Sequence, residues 1–101
     1  MVPLRTAQQI LDTLSAHSQE LRQMGVRRLG LFGSYRHNTP KADSDMDFLV
    51  ALARPSFDDY MTIKFFLEDL FGCPVDLVIE SDLKPRLSRT ILSEVLYAQG
   101  L

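Results

Sequence analysis

Leu31-Phe32-Gly33-Ser34-Tyr35-Arg36 and, after ten residues that follow the serine, Asp45-Met46-Asp47-Phe48-Leu49-Val50 are the stretch on which the fold of this chain turns. An apolar run ends in a small-residue turn. A polar loop follows, and two carboxylates separated by one residue head a second apolar run. Val26 to Phe32 reads as a strand, with Leu29 and Leu31 on one face and Phe32 turned to the other. A short helical turn over Ser34 to Arg36 leads into a loop at residues 37–44. Asp47 to Leu52 is the second strand, nearly all apolar beyond the acids, as a strand buried on both faces would be.

On either side of this stretch the chain alternates helix and strand. Residues 4–24 carry Ile10, Leu14, His17, Leu21 and Met24 at three- and four-residue spacings, with Leu4, Ala7 and Leu11 beside them, which predicts one amphipathic helix. Thr6 and Gln9 have capping-box spacing and Gly25 is placed to stop it. His17 is expected to pack or to sit at a helix end, since no partner at ligand spacing accompanies it. Downstream, Ser56 is a good N-cap, and Asp58 and Asp59 suit the positive end of a helix dipole. That helix would bury Tyr60, Ile63, Leu67, Leu70 and Phe71 and end at Gly72. Pro74 to Glu80 predicts a third strand with Asp76 as the charge inside an apolar run. A last helix is expected over residues 85–98, with Leu87, Ile91, Val95 and Ala98 on one side. The order is α-β-(short α)-β-α-β-α, an α/β or α+β domain with three or four strands.

The 101 residues set the prior of one domain with a modest core. An apolar fraction of 46% and a charged fraction of 24% are ordinary for a globular chain. The net charge of −2, with both signs interspersed, argues against bulk binding to nucleic acid. Cys73 is the one cysteine, so no internal disulfide or thiolate zinc site can form, and a reducing cytosol fits. The N-terminus lacks a signal-peptide pattern and no apolar run approaches the roughly 20 residues of a membrane span. A cytoplasmic protein without membrane contact is expected.

Residues two apart on a strand share a face about 6.6 Å apart, which would turn Asp45 and Asp47 to one side and Met46 to the other. Two close carboxylates repel, and a divalent cation removes that penalty. Magnesium favours carboxylates, waters and substrate phosphates. Asp76 joins the cluster if its strand is adjacent, and three carboxylates suffice for two ions about 3.5–4 Å apart, which stabilise both oxygens of a phosphoryl displacement. Gly33 permits close backbone approach of a ligand, and Ser34 offers a hydroxyl beside amides that attract phosphate. Arg36, His37 and Lys41 could add positive charge. Against these stand plainer roles: Asp45 as a cap in a solvated turn, Asp76 as a surface carboxylate, Tyr35 as a packing residue and Cys73 as an inert small residue.

Gly33-Ser34, ten residues, then Asp45-Met46-Asp47 resembles the Gly-Ser-x10-Asp-x-Asp signature of minimal nucleotidyltransferase (MNT) domains in the DNA polymerase β superfamily. Leu31-Phe32, Ser44 and Phe48-Leu49-Val50 agree with the flanks, and the likeness runs over nearly all of residues 1–101 as one MNT domain. It implies the polymerase β-like nucleotidyltransferase fold, a small mixed sheet of three or more strands flanked by helices. By resemblance, Gly33 and Ser34 hold the triphosphate of a nucleoside triphosphate. Asp45 and Asp47 bind two Mg2+ ions, and Asp76 completes the metal site and helps deprotonate the attacking hydroxyl. Many relatives carry Ala-Arg-Gly or Val-Arg-Gly where this chain has Arg36-His37-Asn38. The arginine's phosphate role would then fall to Arg36, to His37 or to neither, while Asn38 can adopt the left-handed conformation of the glycine. The chain has little length left for an acceptor-binding domain. Single-domain MNT proteins are antitoxins paired with a HEPN-domain ribonuclease toxin, to whose tyrosine they transfer AMP from ATP. The leading expectation is therefore a Mg-dependent protein adenylyltransferase antitoxin with a HEPN partner. The alternatives are nucleotidyl transfer to a small molecule such as an aminoglycoside, aided by a helical subunit, and a non-catalytic toxin-binding module.

Overall fold

The computed structural model describes residues 5–41 and 43–101; Leu4, expected in the first helix, and Ala42, expected in the loop, lie outside them. Ala7–Ala16 (α1) starts at the expected capping box: the Thr6 hydroxyl accepts from the Gln9 N–H at 3.1 Å, and the Thr6 N–H donates to Gln9 Oε1 at 2.9 Å. The expected single helix is in fact two, because the backbone leaves the helical region at His17 and resumes as Ser18–Gln23 (α2). His17 fills that corner, with its Nδ1 3.1 Å from Glu20 Oε1 and its ring edge-on to Phe66 at 5.9 Å.

Val26–Phe32 (β1) runs into Gly33–Arg36 (α3), a single helical turn. Met46–Leu52 (β2) then leads through Phe57–Phe71 (α4) to Val75–Ile79 (β3). Ser56 caps α4, its hydroxyl accepting from the Asp59 N–H at 3.1 Å, and left-handed Gly72 ends it. After a 3₁₀ turn at Glu80–Asp82 come Pro85–Glu94 (α5) and Leu96–Tyr97 (β4). The expected helix over 85–98 is thus corrected: it stops at Glu94, and Val95 turns extended. The gain is strand pairing, since Tyr97 and Leu96 pair with Gly30 and Leu31. A side chain at Gly30 would collide with Val95, so this glycine makes room for the crossing strand.

The sheet has the order β3-β2-β1-β4, with β2 and β3 parallel and the other pairs antiparallel. This is a mixed sheet with helices packed on it, as expected. One face carries Leu29, Leu31, Met46, Phe48, Val50 and Leu77 into a core closed by Ile10, Leu14, Leu21, Ile63 and Leu67. Alternation sends Asp47 and Asp76 to the opposite face. Central β2 is buried on both sides, for Leu49, beside Asp47 on that second face, is also fully covered. Among the described residues, no helix is long and apolar enough to cross a membrane.

Candidate active site

Asp47 and Asp76 are register partners across the parallel β2–β3 ladder, which opens with the Met46 N–H donating to Pro74 O at 3.0 Å. Neighbouring strands lie about 4.8 Å apart, so two acids on one face in one register must meet. Burial, then the adjacent Asp76 carboxyl, then Asp45 push the Asp47 carboxyl up to about 6. Each of these disfavours the charged form of Asp47. The ladder therefore brings two of the three expected acids together.

Asp45 is placed differently from the sequence-based expectation. β2 begins at Met46, so Asp45 lies one residue before the strand and strand alternation does not fix its direction. Its charge reaches Asp47, yet its own side is solvent-exposed. Among the described residues, no three carboxylate, imidazole or thiol groups gather as a ready-made cation cage. The loop before Asp45 is closed by Ser44, whose hydroxyl accepts from the Lys41 N–H at 2.8 Å while its N–H donates to Lys41 O at 3.0 Å.

The glycine turn abuts the acids. Phe32 pairs with Asp47, which puts Gly33 next to the Asp47 carboxylate. Gly33 has φ +77, and a Cβ there would overlap that carboxylate. Both the conformation and the contact demand glycine. Tyr35 points inward from the turn and is buried, and burial raises its phenol as well as the Cys73 thiol, so neither is an activated nucleophile.

Arg36 and His37, the two side chains expected at the phosphate, are tied to the far end of α5. Arg36 Nε donates to Glu94 O at 2.5 Å, and His37 Nε2 lies 2.9 Å from Glu94 Oε2. Asn38 takes the left-handed backbone, φ 56, and its Oδ1 accepts from the Ala7 N–H at 2.8 Å. Neither Glu94 nor the amide of Asn38 stood out as part of the site in the sequence. Glu94 follows Arg36 by 58 residues, and no local pattern signals that contact. The Asn38 backbone was legible from its residue type, but its partner was not. A cleft of about 510 Å³ between the start of α4 and the outer edge of β3, lined by Phe57, Tyr60 and Ile79 among others, includes none of these residues.

The donor set suits a hard divalent cation. Asp47 and Asp76 supply oxygen donors at one point, their mutual repulsion leaves an electrostatic demand that positive charge would meet, and Asp45 stands near enough to be felt there.

Comparison with known proteins agrees with this geometry. The family model described as nucleotidyltransferase domain matches residues 14–98. The chain is 44% identical over 94 residues to the protein adenylyltransferase MntA of Thermococcus cleftensis, covering 91% of this chain and 95% of that one. A solved chain described as a minimal nucleotidyltransferase superposes with a TM-score of 0.71 at 35% identity, covering 85% of this chain and 93% of the other. The same fold recurs at 19% identity and a TM-score of 0.65 in the complex of a tri-AMPylated Shewanella oneidensis HEPN toxin with its MNT antitoxin, covering 95% of this chain and 74% of that one. This chain therefore belongs to the minimal nucleotidyltransferases of the nucleotidyltransferase domain family.

Proposed function

We propose that the chain is a protein adenylyltransferase antitoxin, transferring AMP from ATP to a tyrosine hydroxyl of a HEPN-domain toxin. The observation that carries this reading is the placement of Gly33 against Asp47, which is itself paired with Asp76. A triphosphate held along the Gly33-Ser34 turn would lie beside the acids, with its α-phosphate within their reach. Arg36 and His37 are the basic side chains nearest in sequence to that turn, and Glu94 orients both.

Asp45, Asp47 and Asp76 would hold two magnesium ions. Bound there, the metal would supply neutralising charge to the attacking and leaving oxygens of the displacement. Asp76 is exposed at the open edge of the pair, which suits it to receive the proton of the incoming hydroxyl. The tyrosine oxygen forms a bond to the α-phosphorus, the bond from that phosphorus to the bridging oxygen breaks, and pyrophosphate leaves. The names of relatives support the class: the MntA relative is a protein adenylyltransferase, and the toxin in the Shewanella complex carries AMP.

The test is intact mass spectrometry of a HEPN-domain toxin that binds this chain, after incubation with it, ATP and magnesium. A gain of one or more AMP masses is expected. No gain, with binding preserved, would overturn transfer. A second reading, neutralisation by occlusion alone, draws on the engagement of Arg36 and His37 by Glu94. It predicts that the Asp45→Asn/Asp47→Asn chain still binds and neutralises the toxin, whereas a transferase of this kind loses neutralisation while still binding.

A further inference from the structure

Among the described residues Asn38 is the one non-glycine at positive φ. Glycine reaches that conformation at no steric cost, so the backbone alone does not call for asparagine. What asparagine adds is its Oδ1, which accepts the Ala7 N–H at 2.8 Å from 31 residues away. We infer that Asn38 is a positioning residue, tying the turn that presents Gly33 and Ser34 to the first helical N–H of α1. This rests on the reading of that turn as the triphosphate seat.

The N-terminus of α1 is a fixed point. Ile10 and Leu14 are fully buried in the core, and the Thr6–Gln9 box already satisfies the N–H groups of Thr6 and Gln9. The Ala7 N–H is one of the donors that no intrahelical carbonyl can take, and Ala7 is buried, so water reaches it poorly. Asn38 supplies its acceptor.

From Asn38 the constraint passes back to the glycine turn through a short bonded segment. The Asn38 N–H donates to Tyr35 O at 3.2 Å, the His37 N–H to Gly33 O at 3.3 Å, and the Thr39 N–H to Ser34 O at 2.9 Å. On its other flank the segment is held by Arg36 Nε on Glu94 O. The turn therefore hangs between the start of α1 and the end of α5. A seat ordered in advance does not spend binding energy on ordering itself when the nucleotide arrives.

Asn38→Gly keeps the left-handed backbone and removes the anchor, whereas Asn38→Asp keeps both. Each is compared with the unsubstituted chain by calorimetric titration with Mg–AMP-PNP, by thermal melting, and by hydrogen exchange at the Ala7 amide. Asn38→Gly is expected to bind the nucleotide about threefold to tenfold more weakly, the factor one hydrogen bond commonly carries, with a cooperative melt retained. Its Ala7 amide should exchange faster. Asn38→Asp should restore Ala7 protection and recover affinity toward that of the unsubstituted chain. Equal nucleotide affinity in Asn38→Gly and the unsubstituted chain, equal Ala7 exchange in the two, or an Asn38→Asp chain no better than Asn38→Gly would each overturn the positioning role while leaving the transferase reading in place. Failure of the unsubstituted chain to bind Mg–AMP-PNP would overturn both.

Discussion

Asp47 and Asp76 are carried by two strands bonded to each other along their length, whereas Gly33, Ser34 and Arg36, with His37 just after them, ride on a one-turn helix whose anchors lie elsewhere in the chain. The acids are held close by a backbone ladder that is indifferent to their charge, so the fold can enforce a repulsion and leave it for a cation to relieve. The turn is held by side chains, Asn38 on Ala7 and Arg36 and His37 on Glu94. Rigid acids and a tethered turn therefore make different demands on mutation.

The largest effect should come at the rigid end. Asp47→Asn or Asp76→Asn should lower AMP incorporation by at least about a hundredfold, since even outer-shell partners of a metal site cost up to that much. Incorporation of labelled AMP measures it. A loss in Asp45→Asn as large as in Asp47→Asn would show that the reaction depends on the acid outside the ladder as heavily as on those within it.

The junction of the two ends comes next. Gly33→Ala must place a Cβ on the Asp47 carboxylate at φ +77 and should lose about 2–4 kcal/mol of stability by denaturant titration, combining left-handed strain with overpacking. A loss below about 1 kcal/mol would mean that the turn moves freely away from the acids, and that the two ends of the site are not in fixed contact.

Burial and the enforced repulsion together have a sign that pH can read. The Asp47 carboxyl, raised to about 6, binds a proton in the folded chain at pH values where the unfolded chain has released it. The contribution of Asp47 to the stability of the metal-free protein, read as the difference from Asp47→Asn, should therefore be most favourable below about pH 4, fall as pH rises through about 6, and level off above that. Asp47→Asn removes the charge and should stabilise the metal-free chain at pH 7.5 by about 1–2 kcal/mol, allowing for solvent screening of a partly exposed group. A less stable Asp47→Asn chain at that pH would argue that no repulsion is stored there.

The smallest change is expected at the tether. The His37–Glu94 pair is part-exposed, so Glu94→Gln should move stability by less than about 1 kcal/mol, because exposed pairs contribute little. The Arg36 bond goes to the Glu94 backbone carbonyl and survives this substitution. A thermal melt that drops by many degrees would show the end of α5 to be a structural support rather than a tether.

Much of the fold was legible because its signals are local. The capping box at Thr6, the N-cap at Ser56 and the left-handed stop at Gly72 each satisfy backbone groups within a few residues, and each stands where the sequence placed it. The misreadings fall where a distant partner decides. Val95-Leu96-Tyr97 continues an apolar helical spacing, but β1 offers Leu96 and Tyr97 a strand to pair with, and Gly30 leaves space for Val95. The β-branched and aromatic character of those residues, with a glycine inside β1, was the available hint. Asp45 stands at strand spacing from Asp47, yet the ladder starts only at Met46, so that spacing does not set its direction.

By itself the sequence determined which groups can do chemistry here: a glycine-serine turn, two acids one residue apart and a third in an apolar strand, chemical types that do not depend on how the chain is folded. Only the tertiary structure decided which of them meet. Strand order and register put Asp47 beside Asp76 and Gly33 against Asp47, while the Ala7 N–H near one end of the chain holds Asn38 and the Glu94 carbonyl and carboxylate near the other hold Arg36 and His37. Those are contacts across long stretches of sequence, fixed by the burial of a shared core and not by the spacing of the residues that make them.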